Sequence, residues 1–369
     1  MTYKHLLFVL SIFCSLNSFA QTDSLTLNDS VSLDIMIGQM IMTGIGDQSY
    51  MREDDLILKE IREGKVGGVI YFEKNVNRNS PADQLKRGIS MLKAQAEIPL
   101  FVSIDEEGGL VNRLKPKYGF PETKKAGYLG EIDNLDSTAF YAERTASTLN
   151  DLGFNLNYAP DVDVAVYKEN PVIAKLGRSY SDDPLVVAKH ASQVVKTHRE
   201  YQILTVLKHF PGHGSSHADS HLGVADVTNY WEFGELMPYR AMMDSGMVDA
   251  IMSAHIVNKH LDPDGLPATL SPVVIDQVLR KFLKYDGVVF SDDMQMHAIS
   301  KNFGFEESIR LAIQAGVDVI MFAGNVPDNQ KKTATDVHTA IKNLVDTGVI
   351  SAQRIKESYD RIMRLKANL

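Results

Sequence analysis

The stretch Ile203-Leu204-Thr205-Val206-Leu207-Lys208-His209-Phe210-Pro211-Gly212-His213-Gly214 decides the fold. Its first five residues are apolar or β-branched, which is the length and composition of a strand buried on both faces in a parallel sheet. Pro211, Gly212 and Gly214 then exclude regular helix, so residues 208–221 read as a loop at the carboxyl end of that strand. The loop carries more cation, imidazole and carboxylate than packing requires. In extended chain, side chains two apart share a side, so Asp219 is placed to orient His221 by a hydrogen bond. The two make an acid/base dyad in sequence form.

Working outward, residues 39–42, 68–71, 100–104, 154–158, 250–253, 287–290 and 317–321 are apolar runs of the same kind, which with 204–207 gives eight strands. Helical periodicity fills the gaps at 82–96, 137–152, 185–200, 305–315, 333–345 and 351–369. Ser271-Pro272 pairs an N-cap with a proline at the first helical position, and Val274, Val278 and Phe282 follow it at spacing four. Eight strands alternating with helices and ending on a helix predict a single α/β domain, a (β/α)₈ barrel of the TIM type. A doubly wound nucleotide-binding sheet is the competing architecture. It lacks its signature here, because no Gly-x-Gly-x-x-Gly opens a helix after the first strand.

The first twenty residues stand apart. Lys4 and His5 precede an apolar core at 6–16, and Ser18-Phe19-Ala20 is a small-x-small cleavage site, the pattern of a secretory signal peptide. The expected organisation is a leader at 1–20, a polar linker at 21–32 and a catalytic barrel at 33–369. The one cysteine, Cys14, lies in the leader, so the mature chain would be free of cysteine and its core would stand without disulfides. The pattern predicts export to the periplasm or the cell exterior, with no stable membrane insertion once the leader is cleaved. A formal net charge of −9 argues against nucleic acid or an anionic membrane surface as partner.

In such a barrel, catalytic residues sit where the strands end. The third run ends in Asp105-Glu106-Glu107-Gly108-Gly109 with Arg113 beyond. The fourth leads to Asn157, Asp161 and Asp163, the fifth to Lys208 and His209, the sixth to Ser253 and His255, and the seventh to Ser291-Asp292-Asp293. Carboxylates, cations and imidazoles gathered in this way suit a neutral polyhydroxylated substrate, whose hydroxyls both donate and accept. Glycoside hydrolysis needs a proton donor for the leaving oxygen and, for retention, a carboxylate that attacks the anomeric carbon. Position alone makes Asp292 or Asp293 the attacking group, and either could instead cap a helix. Lys208 could equally serve as a salt bridge at the base of the loop, and His255 as a satisfied core histidine. His213, His217 and His221 have the spacing of helical zinc ligands, but glycine and proline deny them the helix, so no metal is expected.

Three segments resemble the β-N-acetylglucosaminidases of glycoside hydrolase family 3, the NagZ-type enzymes of peptidoglycan recycling. The resemblance rests on Lys208 to Gly214 followed by Asp219-Ser220-His221, on Ile104-Asp105-x-Glu107-Gly108-Gly109 with Arg113, and on Phe290-Ser291-Asp292-Asp293-Met294. Gly177-Arg178-Ser179-Tyr180-Ser181-x-Asp183-Pro184 is similar to the family's arginine loop. The resemblance implies a retaining hydrolase without cofactor or metal, with Asp292 as nucleophile and Asp219-His221 as acid/base dyad. It further implies Asp105, Arg113, Arg178, Lys208 and His209 as ligands of a terminal GlcNAc, His255 being added on its place at a strand end. The alternative is another family 3 β-glycosidase, of the β-glucosidase kind, or a β-GlcNAc phosphorylase. The sequence departs from the family pattern at Glu106, Leu110 and His297, where glutamine, arginine and glycine are usual.

Overall fold

The computed structural model describes residues 31–219 and 223–369. The leader, Cys14 and most of the linker lie outside the described residues, as does His221. Eight parallel strands close into a barrel: β1 Ile41–Gly44, β2 Gly68–Tyr71, β3 Phe101–Ile104, β4 Leu156–Asn157, β5 Leu204–Phe210, β6 Ala250–Ser253, β7 Val288–Asp293 and β8 Val319–Phe322. Each pairs with its neighbour in sequence, and β8 returns to β1 through Ile41↔Ile320. This is the predicted barrel, strand for strand.

The differences lie at strand ends, and they matter for chemistry. β5 continues through Lys208 and His209 to Phe210, so these two side chains stand on strand rather than on loop. β7 likewise continues through Asp292 and Asp293. At the other extreme Gln39 belongs to the helix Leu33–Gln39, which Ser32 caps, and β1 begins only at Ile41. β4 keeps two ladder residues of the expected five. The side chain of Asn155 takes over there, accepting from the Val102 amide at 2.7 Å and donating to the Leu100 carbonyl at 2.9 Å.

Packing around the barrel follows the amphipathic helices, with Pro81–Lys93, Leu135–Leu152, Pro184–Glu200, Phe305–Ala315, Ala334–Asp346 and Ala352–Lys366 close to their predicted bounds. The helix after Ser271-Pro272 runs Val273–Phe282 and is wound as a π-helix, whose wider turn moves the inward face off spacing four. Val274, Ile275, Leu279 and Leu283 are buried, while Phe282 points to solvent. Among the described residues no helix is long and apolar enough to cross a membrane.

The amino end of the barrel is closed by buried charge. Asp318, just ahead of β8, accepts from Arg280 at 2.6 Å, from the Val289 amide at 3.0 Å and from Ser358 at 2.8 Å. The Lys366 ammonium donates to Gln39 Oε1 at 2.7 Å and to the Gly67 carbonyl at 2.8 Å, and lies 4.6 Å from the centre of the Phe101 ring. These groups hold the last helices to the barrel and leave the opposite, carboxyl end open.

Candidate active site

At the carboxyl end, β3 and β5 set three charges against one another. Lys208 is buried, and its ammonium lies 2.7 Å from Asp105 Oδ1 and 2.6 Å from Glu107 Oε1. Glu107 also receives both arms of Arg178, Nε at 2.8 Å and Nη2 at 2.7 Å, the fork geometry that fixes a guanidinium in one plane. Arg113 reaches Asp105 at 3.6 Å. Burial works against the Glu107 and Asp105 carboxylates. The charges of Arg178 and Lys208 outweigh it at Glu107, and those of Lys208 and Arg113 at Asp105, so both acids sit below the usual carboxylate range. Glu107 went unassigned in the sequence, although it stands two residues after Asp105 and therefore on the same side of an extended chain. Glu106 points the other way. It is buried, and its Oε2 accepts the amides of Arg113 at 2.8 Å and Leu114 at 3.1 Å.

His209 has a carboxylate behind it and a cation in front. Asp163 Oδ2 lies 2.6 Å from Nδ1, and Arg178 Nη2 lies 3.2 Å from Nε2. A guanidinium can only donate, so Nε2 is the acceptor and the single ring proton sits on Nδ1, facing Asp163. Burial, reinforced by the charge of Arg178, pushes the His209 pKa down to about 4, which agrees with a neutral ring. Asp163 Oδ1 further accepts the amides of His209 and His213, tying the end of β5 to the chain after β4. Asp161, Asp163 and His209 offer ligand atoms within 4.8 Å of one another, the one such trio among the described residues. Arg178 Nη2 is already 3.3 Å from Asp161 Oδ2, so the positive charge a metal would bring is supplied by the protein.

Adjacent aspartates on β7 divide the work. Asp293 Oδ1 accepts the amides of Gln295 at 3.1 Å and Ala323 at 3.1 Å, and so joins β7 to the end of β8. Asp292 Oδ1 accepts the Asp293 amide at 2.7 Å, which sets its carboxylate on rigid strand. His255, expected among the substrate contacts, is instead set into the protein behind the strand end. It is buried, its Nδ1 meets Thr269 Oγ1 at 2.9 Å and its Nε2 meets the Asp293 carbonyl at 3.0 Å, and it stands behind the strand end instead of on the cavity wall.

The loop after β5 is rooted by residues that the sequence did not single out. Glu235 Oε2 accepts the amides of Gly214 at 2.8 Å and Ser215 at 3.2 Å, and Asn170 donates to the carbonyls of His213 and Gly214. Gly212 is required here, since its φ is +120° and an added Cβ would come 2.6 Å from the Glu235 side chain. From this root the chain brings Asp219 to the wall of a cavity of about 750 Å³, where Asp105, Glu107, Arg113, Arg178, Lys208, His209 and Asp292 also stand. The structure therefore gathers the predicted residues at one mouth, apart from His255, which lies behind it, and His221.

Known proteins match this chain over most of its length. The model of the glycosyl hydrolase family 3 N-terminal domain matches residues 32–365. β-Hexosaminidase A of Pseudoalteromonas piscicida is 31% identical over 324 residues, covering 82% of this chain and 54% of the relative. A β-hexosaminidase of Tolumonas auensis is 33% identical over 270 residues, covering 72% of this chain and 78% of the relative. Among solved structures, a glycoside hydrolase family 3 β-N-acetylglucosaminidase from Paenibacillus sp. str. FPU-7 superposes with a TM-score of 0.83 at 34% identity, over 92% of this chain and 63% of that one. The chain thus spans about half the length of the first of these relatives and most of the second.

Proposed function

Because this chain belongs to glycosyl hydrolase family 3, we propose that the cavity at its carboxyl face removes terminal, non-reducing β-linked GlcNAc from muropeptides or related glycosides, with retention of configuration. The observation that carries this reading is that Asp292 and Asp219 line the same cavity, with a buried lattice of fixed cations and carboxylates beside them. In the first step Asp292 attacks the anomeric carbon while the dyad's imidazole, His221, gives its proton to the departing oxygen. In the second the same imidazole takes a proton from water, whose oxygen displaces Asp292. Lys208, Asp105, Arg113, Arg178 and His209 grip the hydroxyls and the acetamido group. Their rigidity supports tight positioning, since the bidentate Arg178 and the buried Lys208 cannot swing away from Glu107 without leaving charge unpaired. The names of the β-hexosaminidase and β-N-acetylglucosaminidase relatives support GlcNAc as the sugar. The leader-like residues 1–20 support action in the periplasm or outside the cell.

An aryl β-GlcNAc glycoside tests the assignment. The wild type releases the phenol and free GlcNAc whether or not phosphate is added, and Asp292→Asn is slower by at least about 10³-fold. Equal rates in the two proteins would remove Asp292 as nucleophile, and phosphate-dependent release of sugar 1-phosphate would replace hydrolysis with phosphorolysis.

A further inference from the structure

The segment that carries Asp219 is gripped at His217 by two tyrosine rings from elsewhere in the chain. His217, two residues before Asp219, lies parallel to Tyr167 with ring centres 3.8 Å apart and planes 6° apart. Its other face meets Tyr230 at 3.9 Å and 25°. The three rings come from different places: Tyr167 from the chain after β4, His217 from the loop after β5, and Tyr230 from the chain beyond that loop. Burial does not explain the arrangement, because His217 is exposed and Tyr230 is 48% exposed. Rings in such close contact on both faces hold His217 by dispersion. Closer to β5 the loop is fixed by Glu235 and Asn170, and those contacts end at Ser215. Between that root and Asp219, His217 is the residue whose ring is held on both faces by other parts of the chain.

We propose that Tyr167, His217 and Tyr230 form a clasp that fixes the acid/base segment over the cavity, making His217 a positioning residue for proton transfer. The proposal rests on the glycosidase reading above. His217 itself touches no reacting atom; it acts by holding the backbone that presents Asp219. A clasp of this kind has a specific kinetic signature. Proton donation matters in proportion to the basicity of the leaving oxygen, so loosening the segment slows departure of phenol and spares departure of 2,4-dinitrophenolate, which needs no proton.

The test compares kcat/KM on phenyl β-GlcNAc and 2,4-dinitrophenyl β-GlcNAc, because this parameter reports the first, glycosylation step. For His217→Ala the value on the phenyl substrate falls by about 10- to 100-fold while the dinitrophenyl value stays within about twofold. His217→Phe, which keeps a planar ring between the tyrosines, recovers most of the loss. Tyr230→Ala, altered at a half-exposed position, reproduces the pattern independently of any folding defect at 217. Equal losses on both substrates, or none on either, would overturn the clasp alone. A wild type inactive on the dinitrophenyl substrate would instead overturn the glycosidase reading and the clasp with it.

Discussion

Glu107 is the group on which the buried charge lattice depends, and Glu107→Gln removes one charge while keeping shape. In the wild type its carboxylate takes Lys208 at 2.6 Å and both arms of Arg178, and the side chains of all three are close to buried. The variant leaves two cations facing an amide. Breaking a buried pair from one side costs about 3–5 kcal/mol, and the amide oxygen can still accept from one of the cations, so the lower end, about 3 kcal/mol, applies. Unfolding entropy for a domain of this size is about 0.7 kcal/mol per degree, which makes the expected drop in Tm about 4 °C. Urea unfolding near neutral pH measures the first figure and calorimetry the second. Adding Lys208→Met to Glu107→Gln recovers more than about 1 kcal/mol of the summed single losses, because each single change already removes the shared Lys208–Glu107 contact. The pH dependence has a definite sign. A carboxylate held below its ordinary range stabilises the fold above a pH of about 4.5 and loses that contribution as pH falls through its lowered folded value. The gap between wild type and variant therefore narrows in acid. A loss below about 1 kcal/mol at neutral pH, or a gap that widens in acid, would refute the argument.

Three further outcomes follow from the geometry. Burial pushes the Glu106 pKa up to about 7, against the two amides it accepts, so the folded state keeps a proton there that the unfolded chain gives up, and stability declines as pH rises from about 4.5 to 7. Glu106→Gln removes that decline, gaining about 1–3 kcal/mol on the wild type between these limits in urea titrations at the two pH values. Lys366→Ala strands the Gln39 and Gly67 oxygens and opens a void beside Phe101, costing about 2–4 kcal/mol in urea unfolding, with kcat on an aryl glycoside within about twofold because the site lies at the far end of the barrel. Asp293→Ala orphans the amides of Gln295 and Ala323 and lets Asp292, the proposed nucleophile, shift, lowering kcat/KM by about 10- to 100-fold, well short of the loss from Asp292→Asn.

The barrel was legible because its strands are short apolar runs closed by glycine or charge, and their number is hard to misread. The lining of the cavity was legible where a strand ended in clustered charge, as at Asp105, Lys208 and Asp292. Four things were hidden. The sequence places Glu106 and Glu107 side by side, and only their alternation on extended chain separates the one that supports the backbone from the one that holds the cations. What separates Asp293 from Asp292 is the Ala323 amide it accepts, which arrives thirty residues later, just past β8. His255 ends a strand as a catalytic residue would, yet its partners Thr269 and the Asp293 carbonyl come from loops and register that no local pattern encodes. The loop's supports, Glu235 and Asn170, are long-range in the same way.

The most direct test of a retaining mechanism on Asp292 is to trap the sugar on the enzyme. In an Asp219→Asn background, 2,4-dinitrophenyl β-GlcNAc loads the enzyme faster than water can unload it, so rapid quenching, proteolysis and mass spectrometry locate the covalent GlcNAc. A retaining mechanism puts the sugar on Asp292, with none after the further change Asp292→Asn, and gives β-GlcNAc as the first product seen by NMR. A sugar attached elsewhere, or an α-configured first product, would contradict it.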